Sequence, residues 1–222
     1  MLIDTERIKD MEECHYCEGT DDKEEVYHEI IECITGALDA KDAYTAGHSQ
    51  RVSEMALKVC ELIGLKKKDI LKIHIAAHLH DIGKIGIPDA ILNKEGRLTD
   101  EEFEIMKTHS AIGAGILSKS KSLSEFSDIV LHHHERFDGK GYPDGLKGEK
   151  IPVGARIIAI CDSIDAMISN RRYRKALGFD VCYQEIEKNL GKMYDPIIGQ
   201  YVLDHFDKVT ACLHKNVAVK AV

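Results

Sequence analysis

Imidazole and carboxylate side chains recur in this sequence near the ends of expected helices: His48, His80 with Asp81, His109, His133 with His134, and Asp162. Such a donor mixture suits divalent iron, manganese or zinc. A His-Asp pair at a helix terminus can turn both side chains into one cavity. Its carboxylate has two oxygens and can bridge two ions about 3.5–4 Å apart. Taken singly, His48 or His109 reads as an ordinary surface or capped histidine. Asp162 differs, because it lies inside the apolar run VGARIIAICDSIDAM. A buried carboxylate is costly unless it is paired or holds a metal. Three consecutive imidazoles at 132–134 are hard to explain as surface filler.

These positions need helices to bring them together, and the apolar spacing supplies them. Val26, Ile30, Cys33, Ile34, Ala37 and Leu38 recur every three or four residues, as one buried helix face requires. Val52, Met55, Ala56, Val59, Leu62 and Ile63 do the same, with Gly64 as the stop. Asp69 is expected to cap a helix over 70–79. Thr99 with Glu102 forms a capping box for a helix running to about 117. A further helix is expected over about 124–134. Pro152 opens the long apolar helix that carries Asp162, and Asp180 and Asp195-Pro196 open two more. No strand alternation is evident. The expected fold is therefore all-α: a single-domain helical bundle over 26–210, with a polar leader at 1–25 and a tail at 211–222. Two Gly/Pro-rich loops, DIGKIGIPDAILNKEGRLT and HERFDGKGYPDGLKGEKIP, are longer than connections need to be and are candidates for function.

Composition narrows the function classes. The chain has 222 residues, enough for a real core without disulfides. With 30 basic and 38 acidic residues its formal net charge is −8, which argues against a duplex nucleic-acid partner. A local cationic cluster or a metal can still hold a small anion. Seven cysteines at scattered positions, with no export signal and no apolar run near the ~18 residues of a membrane span, read as reduced thiols in a cytoplasmic protein with no membrane association. No sensory domain is expected beyond the short leader. Cys14 and Cys17 form a lone CxxC in a polar segment, a weak metal or redox signal. His74 and His78 have the i, i+4 spacing of helix ligands but read as packing or as support for the ligands that follow.

The ordered motifs resemble the HD superfamily of metal-dependent phosphohydrolases and, more narrowly, its HD-GYP subfamily. The stretches that carry this are DAYTAGHSQRV at 42–52, HLHDIGKIGIPDAILNK at 78–94, MKTHSAIGAGIL at 106–117, HHERFDGKGYPDGLKGEKIPVGARIIAICDSIDAM at 133–167 and RRYRKAL at 171–177. The resemblance implies a GYP loop on an all-α bundle and phosphodiesterase activity on cyclic di-GMP, giving pGpG, GMP or both. It implies His48, His80, Asp81 and Asp162 as one ligand set, and His109, His133 and His134 as the additional ligands of a second metal. Asp81 would be the bridge. Two divalent ions per chain follow, iron or manganese first, with zinc admitted. A third ion is not expected, because Tyr44 stands where some relatives carry a ligating Glu.

Two such ions would lower the pKa of a bridging water and neutralise phosphate charge. Lys84 is implied as a phosphate contact or proton donor, so Asp81 and Lys84 are the catalytic pair. Lys84, Tyr142, Arg171 and Arg174 are implied as substrate contacts. Alone, RRYRK reads as a solvated turn, and Arg172 stands where the subfamily usually has Pro. The GYP loop is further implied in docking GGDEF-domain proteins. Competing readings are another cyclic nucleotide as substrate, or a sensor that binds cyclic di-GMP without turnover.

Overall fold

A computed structural model of the chain describes residues 22–42, 47–169 and 175–213. Tyr44, Arg171, Arg174, Cys14, Cys17 and His214 lie outside the described residues. The fold is all-α, and among the described residues no strand forms beyond one isolated bridge, Leu190–Tyr194. The helices are α1 (Asp22–Lys41), α2 (His48–Leu62), α3 (Lys67–Leu79), α4 (Asp89–Leu92), α5 (Asp100–Lys107), α6 (His109–Leu117), α7 (Ser127–His132), α8 (Val153–Ile168), α9 (Phe179–Lys188), α10 (Pro196–Asp204) and α11 (Phe206–Val209).

The core centres on α2, α3 and α8. Val52, Met55, Ala56, Val59 and Cys60 form the buried stripe of α2. In α8 the residues Ala155, Ile157, Ile158, Ile160, Cys161 and Ile164 are all fully buried, too many for one stripe, because helices cover this element on several sides. Cys182, Ile186, Ile198, Val202, Phe206 and Val209 carry the same core into α9, α10 and α11. Gly64 ends α2 as expected: its N–H reaches the Glu61 carbonyl, and that of Leu65 reaches Cys60. The Thr99–Glu102 capping box is present. Asp195 caps α10 through the Ile197 and Ile198 N–H groups, and its other oxygen accepts from Arg156.

Several expectations change. The inward face of α1 is His28, Ile31, Thr35 and Leu38, continuing to Asp42, while Val26, Ile30 and Cys33 point outward. Apolar periodicity missed this because the face of α3 opposite α1 is itself partly polar, carrying His74 and His78. Helix α3 starts at Lys67, with extended Lys66 before it, so Asp69 is no cap. It lies in the first turn, where its charge complements the helix dipole. The helix expected over 99–117 is two, α5 and α6, divided at Thr108, whose hydroxyl donates to the Ile105 carbonyl (2.6 Å). The helix expected over 124–134 is a 3-10 turn at Ser124–Phe126 followed by α7, which leaves His133 and His134 beyond the helix end. Helix α9 begins at Phe179, so Asp180 lies inside its first turn.

Candidate metal centre

Every expected ligand except Asp162 is delivered by an element end. His48 is the first residue of α2, His80 and Asp81 follow α3, His109 opens α6, His133 and His134 follow α7, and Asp162 projects from the middle of α8. Their donor atoms converge in two groups. One ligand atom each from His48, His80 and Asp162 lies within 4.8 Å of the others, and the same holds for His109, His133 and His134. Asp81 sits between the groups. Its Oδ2 is 3.6 Å from His48 Nε2 and 3.4 Å from His80 Nε2, and its Oδ1 is 3.5 Å from His109 Nε2. One carboxylate thus presents one oxygen to each set.

The outer nitrogens explain what the inner ones offer. Nδ1–H of His80, His109 and His133 donates to the carbonyls of Ala77 (2.7 Å), Met106 (2.7 Å) and Val130 (2.6 Å). These bonds fix the tautomer and leave a lone pair on each Nε2. Those nitrogens lie close to their neighbours: His48 Nε2 to His80 Nε2 is 3.3 Å, His109 Nε2 to His133 Nε2 is 3.3 Å, and His134 Nε2 to His109 Nε2 is 3.2 Å. The lone pairs on His109 Nε2 and His133 Nε2 face each other with no proton between them, which is what a cation satisfies. His48 Nε2 would give up its proton to an ion in the first set, so the donor set fits metal ions.

Charge is arranged to match. Burial holds the imidazoles of His80, His109 and His133 below their ordinary value and brings His134 to about 3, so these rings are neutral at neutral pH. Burial also lowers His48, but its bonds to Asp162 and Asp165 outweigh that and hold it up at about 9. Burial pushes the Asp81 carboxyl up, yet Lys84 and the neighbouring imidazoles hold it well below the carboxylate range. Asp162 is likewise held low against burial by His48. The Lys84 ammonium lies 2.6 Å from Asp81 Oδ2 and 3.9 Å from Asp42 Oδ2. Burial works against its charge, and Asp81 restores it.

The GYP loop closes on the second set. Gly141 lies so close to the chain at 134–136 that a Cβ there would meet Arg136 N at 2.3 Å and the His134 carbonyl oxygen at 2.6 Å. This contact seats the Tyr142 ring 4.9 Å from His134, with Phe103 and the Lys107 ammonium on its flanks. Two residues that the sequence reading passed over belong to the site. Asp165 Oδ2 is 2.7 Å from His48 Nδ1, and Arg51 grips Asp165 through Nε (2.6 Å) and Nη2 (3.0 Å). The signal was present: Asp165 follows Asp162 by three residues in the same apolar helix.

Comparison with known proteins follows the same motifs. A family model described as the HD domain matches residues 32–198. A cyclic di-GMP phosphodiesterase of Thermotoga maritima is 43% identical over 84% of this chain and 51% of its own length. The cyclic di-GMP phosphodiesterase response regulator RpfG of Xanthomonas campestris is 41% identical over 78% of this chain and 46% of its own. A 3'3'-cGAMP-specific phosphodiesterase of Vibrio cholerae is 34% identical over 86% and 37%. The chain therefore spans about half or less of the length of these curated relatives. Among solved structures, a cyclic GMP-AMP specific phosphodiesterase of V. cholerae superposes with a TM-score of 0.64 at 18% identity, covering 81% of this chain and 48% of that one. The HD domain of the L. monocytogenes phosphodiesterase PgpH gives 0.59 at 20% identity, covering 83% and 98%. At those identities the likeness is one of fold.

Proposed function

The chain belongs to the HD domain family, and on that premise we propose that it is a metal-dependent phosphodiesterase that hydrolyses cyclic di-GMP to pGpG, GMP or both. The observation that carries this is the pair of converging ligand sets sharing Asp81. His48, His80, Asp81 and Asp162 would hold one divalent ion, and His109, His133 and His134 with Asp81 a second. Iron and manganese are the first choices and zinc the third. Bound there, such ions supply a water of lowered pKa and neutralise phosphate charge.

The chain's own residues do the positioning. The neutral imidazoles add no negative charge, so the centre favours a phosphate although the whole chain is acidic. Lys84 remains protonated at neutral pH and can donate to a phosphate oxygen or pass a proton to the leaving oxygen. The Tyr142 ring, held beside His134, offers a face to a guanine. Arg171 and Arg174 are proposed to contact phosphate or guanine edges. The exposed stretch Pro143–Gly145 of the same loop is the proposed docking point for GGDEF-domain partners.

The test is anaerobic purification, elemental analysis, and incubation with cyclic di-GMP, 3'3'-cGAMP and linear pGpG, with products identified by chromatography. The panel includes 3'3'-cGAMP because relatives at 34–38% identity carry that specificity in their names. Cyclic di-GMP should be consumed first. Asp81→Ala should lose metal and activity together. Arg174→Ala should raise KM and leave metal content unchanged. A metal-replete preparation that binds cyclic di-GMP without forming product would replace the enzyme with a sensor.

A further inference from the structure

A third convergence of imidazoles lies away from the centre just described. His28 of α1 and His74 and His78 of α3 are all buried, at 7%, 0% and 1% exposure. One ring nitrogen from each lies within 4.8 Å of the others. The ring centroids are 5.6 Å (His28–His74), 5.0 Å (His28–His78) and 4.8 Å (His74–His78) apart. His78 precedes His80 by two residues, so on a helix the two point to opposite faces.

The outer bonds are those of ligands. His28 Nδ1 lies 3.4 Å from the Glu32 carboxylate, and its Nε2 has no hydrogen-bond partner. His74 Nδ1 donates to the Ser53 carbonyl (3.2 Å). The Ser53 hydroxyl gives its one proton to the Gln50 carbonyl (2.7 Å), so at 2.9 Å from His78 Nε2 it must accept from that nitrogen. The lone pair of His78 is therefore on Nδ1, which is buried without a partner. Each ring has its outer nitrogen held by a carboxylate, a carbonyl or a hydroxyl, which is how ligating imidazoles are oriented.

The face chosen by α1 supports the same reading. This helix carries Val26 and Ile30, yet both are more than half exposed while His28 is turned inward. Burial of Ile31 and Leu38 on the inward side is offset by the exposure of Val26 and Ile30, so apolar area alone does not set the rotation. An ion joining His28 to α3 accounts for the choice.

We propose that His28, His74 and His78 form a further metal site, a three-imidazole site for a zinc-class divalent ion that clamps α1 onto α3, with water as the fourth ligand. The proposal does not depend on the phosphodiesterase reading.

The test is zinc titration of the chelator-stripped full chain, in the parent and in three variants. The parent should bind one equivalent more than His28→Gln, and His28→Gln should retain its cyclic-dinucleotide hydrolysis. The double variant His48→Ala/His109→Ala removes one ligand from each set of the first centre. In it one zinc should remain, with a shell of three imidazoles and one oxygen by X-ray absorption. Ser53→Ala, which frees the outer nitrogen of His78, should weaken that site about 10- to 100-fold. Equal stoichiometry in the parent and His28→Gln overturns the proposal. If His28→Gln fails to fold by circular dichroism, the double variant decides: absence of an imidazole-bound zinc there overturns it equally.

Discussion

Asp165 faces away from the metal-binding cavity, yet it determines where His48 points. It accepts from His48 Nδ1 at 2.7 Å and is forked by Arg51 from behind. Burial pushes this carboxyl up, but its bonds to His48 and Arg51 bring it to about 2, so it is a full negative charge in the cluster. Asp165→Asn keeps the shape and removes that charge. Metal affinity at the first set should fall about 10- to 100-fold, read by competition with a chromogenic chelator. An unchanged dissociation constant would show that His48 needs no carboxylate behind it. The principle that singled out Asp162, a carboxylate in an apolar helix needing a partner, applies more strongly to Asp165, whose side chain is 2% exposed against 19% for Asp162. That the expected ligand side chains converge was legible because their chemistry stands out against apolar surroundings. The supporting Arg51–Asp165 pair was not, since an Arg three residues past a His has many ordinary uses.

At the scale of elements, the distance between the two ligand sets depends on how closely the turn after α3 approaches α6. A Cβ on Gly83 would lie 1.8 Å from the His109 carbonyl oxygen and 2.5 Å from Gly113 N, both backbone atoms that cannot move aside. Gly83→Ala should therefore push the His80–Lys84 segment off α6, costing about 1–3 kcal/mol or more by overpacking. The urea midpoint should fall with unchanged slope, and occupancy of both sets should fall with it. A variant with full occupancy would mean that the segments can separate without parting the ligands. Gly141→Ala should push the GYP loop off the backbone at 134–136, raising KM and lowering occupancy of the second set, to which His134 belongs, more than of the first. Helix type was readable from apolar spacing, but number and directions were not: the helix expected over 99–117 is two, and the short α4 and α11 were not expected. Thr108 keeps near-helical angles (φ −67°, ψ −14°), so the bend that aims His109 leaves no gap in the pattern. The rotation of α1 was missed for a related reason: periodicity assumes an apolar partner, and this helix faces histidines.

For the whole molecule, the candidate centre would draw its ligands from five separate parts of the chain: the start of α2, the turn after α3, the start of α6, the turn after α7 and the middle of α8. Bound ions would therefore cross-link most of the bundle, and their binding energy would become folding stability. No helix among the described residues is long and apolar enough to cross a membrane. An ion at 100 times its dissociation constant adds about 2.7 kcal/mol, which for a domain of this size is roughly 5–10 °C in Tm per site. Chelation should lower the Tm of the parent by at least that much, and stoichiometric manganese or iron should restore it. In His109→Ala the drop should be smaller by one site's worth. A Tm that stays fixed while elemental analysis shows the ions gone would mean that the ions had not bound the folded chain in preference to the unfolded one, and would overturn the cross-linking role. In either case Gly83→Ala should lower the thermal stability of the ion-free chain, because its overpacking acts without an ion.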